Sequence, residues 1–246
     1  MSTPADLAKL TVQEFAKRFR PEMVPLSSRF SYFAAMPLSE DDAKEYLHEP
    51  IAALPPALTA LSSISIALVP YLEKTAAGVE LVTFDAPPQK ARAWSAYVRA
   101  NSDAVLVFAI KDLEVADYHY HFYRGIATIA ADHFHPEKLA GFYDLVREEM
   151  RNRTHGEIDE EAWKLKQALL QRQRDVRRDT KLFRSYARQS LIDTLTLYLH
   201  GICCDIDVET GPRQLASRHL RRRLELLHDI FPPPKGYAVF PEGTRA

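Results

Sequence analysis

The spacing of apolar residues along this chain changes twice. Before residue 63 apolar positions recur at helical spacing, but from Ser63 they alternate with polar ones, as Ile64, Ile66 and Leu68 do. Alternation of this kind is typical of a strand with one buried face. After Ile110 the helical spacing returns, and no further strand is predicted. The pattern therefore predicts an α+β protein, with a small sheet followed by a largely α-helical C-terminal half.

Four strands are predicted in the alternating region. Two of their connections carry turn-forming residues, which favours antiparallel neighbours. The last run, residues 104–110, is apolar almost throughout, as in a strand that is buried on both faces. We therefore expect a mostly antiparallel four-stranded sheet. Its strands are predicted at residues 63–68, 79–84, 93–100 and 104–110.

Capping residues and prolines mark several helix ends. Thr11 with Glu14, and Ser39 with Asp42, have the spacing of a capping box, in which two side chains satisfy backbone N–H groups at a helix start. The helix that starts at Ser39 is expected to stop near His48, because prolines follow. The stretch between these two helices has no regular pattern and is interpreted as irregular at residues 21–38.

Further helices are expected towards the C-terminus. A helix that starts at Phe183 is expected to end at Gly201, since glycine readily adopts the left-handed conformation that ends many helices. Other predicted helices start near Thr3, His135 and Asp159, and the last one runs from Pro212 to Phe231.

Length and composition fit one folded domain. The chain has 246 residues with 46% hydrophobic content, which is enough for a sizeable core. We expect residues 1–115, with the N-terminal helices and the sheet, and residues 116–246, the helical half, to pack as one compact domain.

Charge and cysteine content exclude several classes of protein. The formal net charge of -1 gives no overall field that would attract nucleic acid or an anionic membrane. Cys203 and Cys204 are adjacent, a geometry that rarely forms a disulfide, so a cytoplasmic location is predicted. The N-terminus has no signal-peptide pattern, and prolines interrupt the most apolar window, residues 51–71, so no membrane partner is expected. The sequence leaves homo-oligomer formation open.

A stretch from Asp117 to Pro136 holds four of the nine histidines, in one predicted amphipathic helix. Residues three or four apart share a helix face, but His119 and His121 are two residues apart, and so are His133 and His135. Helical spacing alone therefore does not gather these histidines into a compact metal site. Histidines near a helix C-terminus are also favoured by the helix dipole, which is the simpler interpretation. The candidate metal ligands in this stretch are His119, His121, Asp132, His133 and His135.

The order of elements resembles that of the zincin metallopeptidases: a sheet, a last apolar strand, an amphipathic helix and a mostly helical half. That family's helix carries His-Glu-x-x-His, whose histidines bind zinc and whose glutamate activates water. In one register, Arg124 and Thr128 stand where the histidines belong, and Gly125 stands where the glutamate belongs. A second register, from His121 to Gly125, keeps one histidine and no glutamate. The later helix offers Asp193 where the family places a glutamate ligand.

The resemblance implies a zincin-like protein that has lost its zinc site. It would be a catalytically inactive binding or scaffolding domain, with a peptide or protein partner and no metal or other cofactor. Small residues in place of large ligands imply a shallow empty cleft, with His121, Arg124, Gly125 and Thr128 as its binding residues. The alternative is a metal-dependent hydrolase or peptidase that holds zinc in a non-standard site of histidines and Asp132.

Two further motifs suggest other functions. The basic run from Arg172 to Arg188 suggests an interaction module, but interleaved acids favour a solvated or intersubunit face over nucleic acid. Residues 240–245 resemble the phosphate-binding motif of glycerolipid acyltransferases, with His200 and Asp205 at the spacing of its catalytic pair. A helix and a loop separate the two motifs, where that family has sheet strands, so we reject this interpretation.

Overall fold

The computed structural model describes residues 9–100, 103–134, 136–172, 178–203 and 213–238. The chain forms two compact units. The first contains the chain up to Ala52 and again from Thr59 to Gly125, and the second contains Ala53–Leu58 and the chain from Ile126 onward. The division falls inside one helix, downstream of the boundary that the sequence predicted. The helix predicted near Thr3, the acyltransferase-like tail and Asp205 lie outside the described residues.

The first unit begins with the predicted capping box. Strand β1 (Leu10–Thr11) leads directly into helix α1 (Val12–Phe19). The Glu14 backbone N–H donates to Thr11 Oγ1 at 3.2 Å, and the Thr11 backbone N–H donates to Glu14 Oε2 at 2.9 Å. This helix start is confirmed, and a 3₁₀ turn at Arg20–Glu22 follows the helix.

A proline lies inside the next helical segment. Helix α2 (Glu40–Ala43), a π-helical turn (Lys44–His48) and helix α3 (Glu49–Ala52) follow one another without a break. The prediction that this helix stops near His48 is therefore wrong. In an α-helix the ring of Pro50 would clash with the carbonyl four residues earlier. The hydrogen bonds of a π-turn reach back five residues instead, so the backbone before Pro50 is rearranged and the helix continues.

The remaining described elements of the first half are a short helix, a 3₁₀ turn (Gln89–Ala91) and eight strands. Helix α4 spans Pro56–Thr59. The strands are β2 (Val24–Pro25), β3 (Phe30–Ala34), β4 (Ser63–Val69), β5 (Tyr71–Lys74), β6 (Glu80–Thr83), β7 (Arg92–Ala93), β8 (Ser95–Ala100) and β9 (Asp103–Ala109).

These strands form two sheets. A four-stranded antiparallel sheet has the order β1-β6-β5-β7, and a five-stranded mixed sheet has the order β2-β3-β4-β9-β8. Strands β3, β4 and β9 are parallel, whereas β2 and β8 run antiparallel to their neighbours at the two edges. The α+β class, with an antiparallel four-stranded sheet and a helical C-terminal half, is confirmed. The four predicted strands are all present, but they are divided between the two sheets.

Two strands lie in the stretch that was interpreted as irregular. In β3, Tyr32 pairs in parallel with Ile66 of β4, and β2 pairs with the other side of β3. The sequence of β3, Phe-Ser-Tyr-Phe-Ala, lacks a clean alternation of apolar and polar residues. Its partner strand is also distant in sequence, so local patterns carry no signal for this pairing.

The core of the first unit lies on one face of the five-stranded sheet. Helix α1 and the small sheet supply the side chains that cover this face. The opposite face carries Leu106 and Phe108, which are almost fully buried. The buried members of the α1-side core are Val12, Phe15, Ala16, Phe19, Ala67, Val69, Leu72, Val82, Ala96, Val105, Val107 and Ala109.

Helices make up most of the second half of the chain. Among the described residues, no helix combines the length and the apolar sequence that a bilayer crossing requires. A 3₁₀ turn at Pro136–Leu139 separates the first two long helices. The helices are α5 (Val115–His133), α6 (Ala140–Arg151), α7 (Glu160–Gln171), α8 (Lys181–Cys203) and α9 (Ser217–Ile230).

Helix α8 continues past the glycine that was expected to end it. Gly201 lies within the helix, which runs on to Cys203. The buried side chain of Ile202 extends the apolar face that Leu195 and Leu199 form, so packing outweighs the preference of glycine for a helix end. The prediction of a cap at Gly201 is wrong for this reason.

In the second unit, the backbones of two loops are in close contact at Gly156. Gly156 has a φ of 85°, and a Cβ there would lie 2.2 Å from the backbone oxygen of Gln214. Next to it, the Glu157 backbone N–H donates to Arg213 O at 2.9 Å, and the Leu215 backbone N–H donates to Glu157 O at 3.2 Å. Only a residue without a side chain allows these two backbones to approach so closely.

We expect Gly156→Ala to destabilise the protein far more than Gly78→Ala. Gly78 also has a positive φ, of 79°, but a Cβ there would meet no atom within 4 Å. Gly78→Ala therefore measures only the cost of placing alanine in a left-handed backbone conformation, about 1 kcal/mol. Gly156→Ala adds the loss of the contact between the two backbones, so we expect a total above about 3 kcal/mol in urea unfolding. Equal losses for the two variants would contradict this account.

Candidate functional site

Helix α5, which carries the histidine stretch, is anchored by tyrosines in the first unit. Tyr118 Oη donates to the carbonyl oxygen of Tyr46 at 2.7 Å, and its ring packs edge-on against Phe108 with centroids 5.1 Å apart. Tyr123 Oη donates to the carbonyl oxygen of Pro50 at 3.4 Å. Both tyrosines are fully buried. The start of the helix is thus held by hydrogen bonds as well as by apolar contacts.

His119 is a buried structural histidine. Its side chain is almost fully buried, and its Nε2 lies 2.8 Å from the carbonyl oxygen of Glu45. A carbonyl oxygen can only accept a hydrogen bond, so Nε2 carries the proton. The ring also contacts the rings of Tyr118 and Tyr123. These contacts account for His119 without a metal ion.

His121, on the same helix, is half-buried and lies near two charged side chains. Burial lowers the pKa of this half-buried imidazole, and Arg124 lowers it further, whereas Asp117 one turn earlier opposes the change. Asp117 and His121, four residues apart on one face of the helix, are therefore close enough to interact. A lowered pKa keeps His121 neutral at physiological pH.

The remaining histidine-stretch candidates also have partners. Arg188 donates to Asp132 Oδ1 at 2.6 Å and 3.2 Å. His133 Nδ1 lies 2.9 Å from the carbonyl oxygen of Ile129, one turn earlier. His135 lies outside the described residues. Within the described ranges, no group of three His, Cys, Asp or Glu side chains is placed to hold a metal ion.

Gly125 serves the contact between α5 and the large sheet. A Cβ at this position would lie 2.8 Å from Leu106 Cδ2. The space that a side chain would take is therefore occupied by Leu106, and the expected empty cleft does not extend to this side of Gly125. Arg124 and Thr128 are half-buried. Asp193, at the position of the third ligand in the zincin comparison, is buried and accepts a hydrogen bond from Gln189 Nε2 at 2.9 Å.

Two arginines behind the interaction-module hypothesis, Arg184 and Arg188, are in ion pairs. Arg184 pairs with Asp179 at 3.0 Å, and Arg188 pairs with Asp132. Arg147 also approaches Asp179, at 4.0 Å. Paired guanidinium groups are less available to phosphate groups of a nucleic acid.

A groove of about 250 Å³ lies beside strand β8 in the first unit. One wall is α1, with Ala16 and Lys17, and the floor is the sheet, with Val98 of β8 and Val105 of β9. The lining is mostly apolar. Arg20 donates to Asp103 Oδ2 at 2.5 Å among the groove residues. The other lining residues are Gln13, Met23 and Ser65.

The second unit contains a cluster of buried charges that the sequence analysis missed. Arg223 is fully buried. It donates to Glu149 Oε2 at 2.6 Å and 3.0 Å, and to both oxygens of Glu157 at 2.9 Å and 3.0 Å. It also donates to Ser190 Oγ at 2.8 Å. All five donors of a guanidinium group are thereby accounted for, which is what a buried arginine requires.

Glu157 receives two more donors. Lys166 Nζ donates to Glu157 Oε1 at 2.9 Å and to the carbonyl oxygen of Gly156 at 2.7 Å. Tyr186 Oη donates to the same carboxylate oxygen at 2.5 Å. With Glu149 and Arg223, the cluster holds two acids and two bases, so its formal charge balances. A balanced, hydrogen-bonded cluster can persist in an apolar interior, whereas a single charge could not.

The cluster shifts the ionisation of its members. Burial alone would raise the pKa of Glu157, but the charges and hydrogen bonds of Arg223, Lys166 and Tyr186 outweigh it and lower the pKa to about 2. Burial lowers the pKa of Lys166, and Glu157 offsets this in part. Burial and the nearby carboxylate raise the pKa of Tyr186 well above its ordinary value. Glu157 is therefore ionised throughout the physiological range.

A signal for this cluster is present in the sequence. In α9, Arg223 shares a face with Leu220 and Leu227, and in α6 Glu149 follows Val146 by three residues. An ionisable residue at an apolar-face position of an amphipathic helix predicts a buried charge. The basic run at residues 221–223 concealed this position, because its neighbours are exposed.

One atom of the cluster is left without a hydrogen bond. Glu149 Oε1 is buried and has no hydrogen-bond partner among the described atoms. His219 Nδ1 lies 4.0 Å from it, which is too long for a hydrogen bond. The rest of the cluster connects α6, α7, α8 and α9, so its clearest chemical role is to hold these helices in place.

No family model, no curated protein sequence and no solved structure matches this chain. The geometry of the chain's own residues therefore carries the functional argument.

We expect Glu157→Gln to remove part of the acid sensitivity of the fold. A carboxyl with a lowered folded pKa stabilises above its unfolded value of 4.5, and this contribution is lost as the pH falls towards about 2. The two values correspond to roughly 3 kcal/mol. Urea unfolding, followed by circular dichroism from neutral pH to acid, should show a lower and flatter stability profile for Glu157→Gln.

The matched control is Glu148→Gln. Glu148 is an exposed carboxylate that pairs with Arg222, one residue from each of the buried partners. Its loss should leave the acid profile close to that of the original protein, because solvent screens surface ion pairs. A similar effect of both substitutions would contradict a special role for Glu157.

Proposed function

We propose that this chain is a non-catalytic, zincin-like binding module that accepts an extended peptide segment along strand β8. The observation that carries the proposal is a sheet edge at β8, on which no described strand pairs, with an apolar groove next to it. The element order that prompted the zincin comparison is consistent with it, since the buried strand β9 leads into α5 and α5 packs on the large sheet.

The residues of α5 favour binding over hydrolysis. Arg124, Gly125 and Thr128 bring neither an imidazole nor a carboxylate to the positions of the zincin motif. His119 and His133 bond to backbone carbonyls instead. A hydrolytic zinc site needs three protein ligands and an activated water, and these contacts supply no such set.

The outer side of β8 offers backbone groups to a partner. Ala109 N–H donates to the carbonyl oxygen of Trp94, which sets the phase of hydrogen bonding between β8 and β9. In an antiparallel ladder alternate residues face outwards, so the backbone N–H and C=O groups of Ser95 and Arg99 point away from β9. None of the described strands pairs with β8 on that side. An extended peptide can add there as a further strand.

The groove supplies a place for a side chain of the added strand. Every second side chain of such a strand points to the α1 face of the sheet. Val98, which lines the groove, has its side chain on this face. The mostly apolar lining favours an apolar side chain, and Lys17 at the groove favours an acidic neighbour.

The cysteine chemistry fits a cytoplasmic protein. Among the described residues, Cys203 is a thiol that forms no disulfide. Free thiols are stable in a reducing compartment.

We expect untagged protein to carry no stoichiometric metal, because His119, His133 and Asp132 bond to other groups. Plasma mass spectrometry should find no bound zinc, manganese or iron. A chelator should leave the melting temperature unchanged, since only a bound ion would add stability. About one equivalent of metal per chain, with a fall in melting temperature on chelation, would favour the metal-dependent hydrolase instead.

We expect Arg99→Pro to weaken peptide binding without unfolding the protein. The Arg99 N–H points away from β9, so proline removes a donor from the outer side and leaves the inner ladder intact. Losing one such hydrogen bond of about 1 kcal/mol corresponds to about fivefold in affinity. The probes are peptides enriched from a phage-displayed random library and then synthesised, with binding measured by fluorescence anisotropy.

Arg99→Ala is the matched control, because it removes the same side chain and keeps the backbone donor. It should bind the selected peptides with nearly the original affinity. A failure to enrich any peptide, or equal affinity for the Arg99→Pro and Arg99→Ala variants, would overturn the proposal. Circular dichroism of both variants checks that the fold is retained.

A further inference from the structure

A second cleft lies in the helical unit. It has a volume of about 520 Å³ and is formed by two short segments of chain. One is the loop after α6, from Asn152 to His155, and the other is the start of α9, from Ala216 to His219. Every ionisable residue that lines it is basic. The ionisable lining residues are Arg153, His155, Arg218 and His219.

The two arginines give the cleft a positive charge. Arg153 and Arg218 are exposed. Across the described residues, neither forms an ion pair with a carboxylate. The nearby acids are already engaged, since Glu149 accepts from Arg223 and Glu148 pairs with Arg222. Two guanidinium groups at one cleft therefore lack a counter-charge of their own.

Thr154 adds a neutral donor to this positive cleft. Thr154 is 9% exposed as a whole residue and lines the cleft. Its position between two arginine-bearing segments places there a hydroxyl that can donate to a ligand.

The first turn of α9 faces the same cleft. The first N–H groups of a helix attract anions where no carbonyl oxygen accepts from them, and here the His219 N–H already donates to the carbonyl oxygen of Ala216 at 2.8 Å. The side chain of Thr154 across the cleft and the guanidinium of Arg218 would approach an anion from different directions. The α9 start is thus one part of a larger set of donors.

Neighbouring groups fix the positions of the side chains that line the cleft. Arg218 Nε donates to His219 Nε2 at 3.2 Å, which leaves the terminal nitrogens of Arg218 to bind elsewhere. The other ring nitrogen of His219 faces the buried Glu149. The two loops are joined at Gly156, where the backbones are in close contact. A site that is built on such a rigid base loses little entropy when it binds a ligand.

We infer that this cleft binds the phosphate group of a small phosphomonoester. Guanidinium groups bind phosphate oxygens through paired hydrogen bonds, and the hydroxyl of Thr154 and the α9 start supply further donors. The cleft is much larger than a phosphate ion, so it has room for the organic part of a monoester. The ring of His155 lines the cleft and packs edge-on against Trp163. It can contact the organic part of the monoester.

The test is isothermal titration calorimetry with phenyl phosphate, inorganic phosphate and benzoate. We expect phenyl phosphate to bind most tightly, inorganic phosphate more weakly and benzoate not measurably. The double variant Arg153→Asn, Arg218→Gln should weaken phenyl phosphate by at least about tenfold, because two charge-assisted contacts are lost. Asparagine is chosen at position 153 because Arg153 has a φ of 54°, which asparagine tolerates.

Two further variants separate binding from folding. Thr154→Val keeps the shape of the side chain and should weaken phenyl phosphate by about fivefold, the value of one hydrogen bond. Arg221→Gln changes an exposed arginine of the same helix that pairs with Glu225, and should leave binding unchanged. Absence of saturable binding to the original protein, equal binding of benzoate, or an equal effect of Arg221→Gln and the double variant would overturn the inference. Inorganic phosphate binding as tightly as phenyl phosphate would overturn the assignment to a monoester.

Discussion

The helical unit depends on one buried carboxylate. The side chain of Glu157 receives Arg223, Lys166 and Tyr186, which come from α9, α7 and α8. Its backbone also pairs with the segment that leads into α9. Arg223 extends the same contacts to Glu149 of α6. Removing these charges from water is costly, so the ion pairs stabilise the unit only while every charged partner is present. Loss of one charged partner leaves another buried charge uncompensated.

The first unit uses a different constraint. Its large sheet depends on the parallel pairing of β3, β4 and β9, three strands that are distant in sequence, and its sheet faces are covered by apolar side chains. Both proposed sites are built from polar groups beside these frameworks. At β8 these are the outward backbone groups of an edge strand. In the helical unit they are the guanidinium groups and the Thr154 hydroxyl beside the locked loops.

The elements that the sequence predicted correctly have causes that are local. The capping box of Thr11 and Glu14 and the apolar run of β9 can both be recognised within a few residues. The elements that it missed depend on distant partners: β3 needs β4, and α8 continues through Gly201 because Ile202 is buried by other helices. The same holds for the candidate site. Nothing near His119 in sequence reveals the Glu45 carbonyl that binds it, or that Arg223 faces two carboxylates.

The outer edge of β8, on which no described strand pairs, also affects how the protein behaves at high concentration. An edge strand with unpaired backbone groups can pair with the same edge of another copy, or with any unfolded chain nearby. Natural edge strands resist this with charged residues, and Arg99 is the single charged side chain in the six-residue strand. One charge is a weak defence against aggregation. A partner that occupies the edge would therefore also protect the protein, by raising the concentration at which it remains monodisperse.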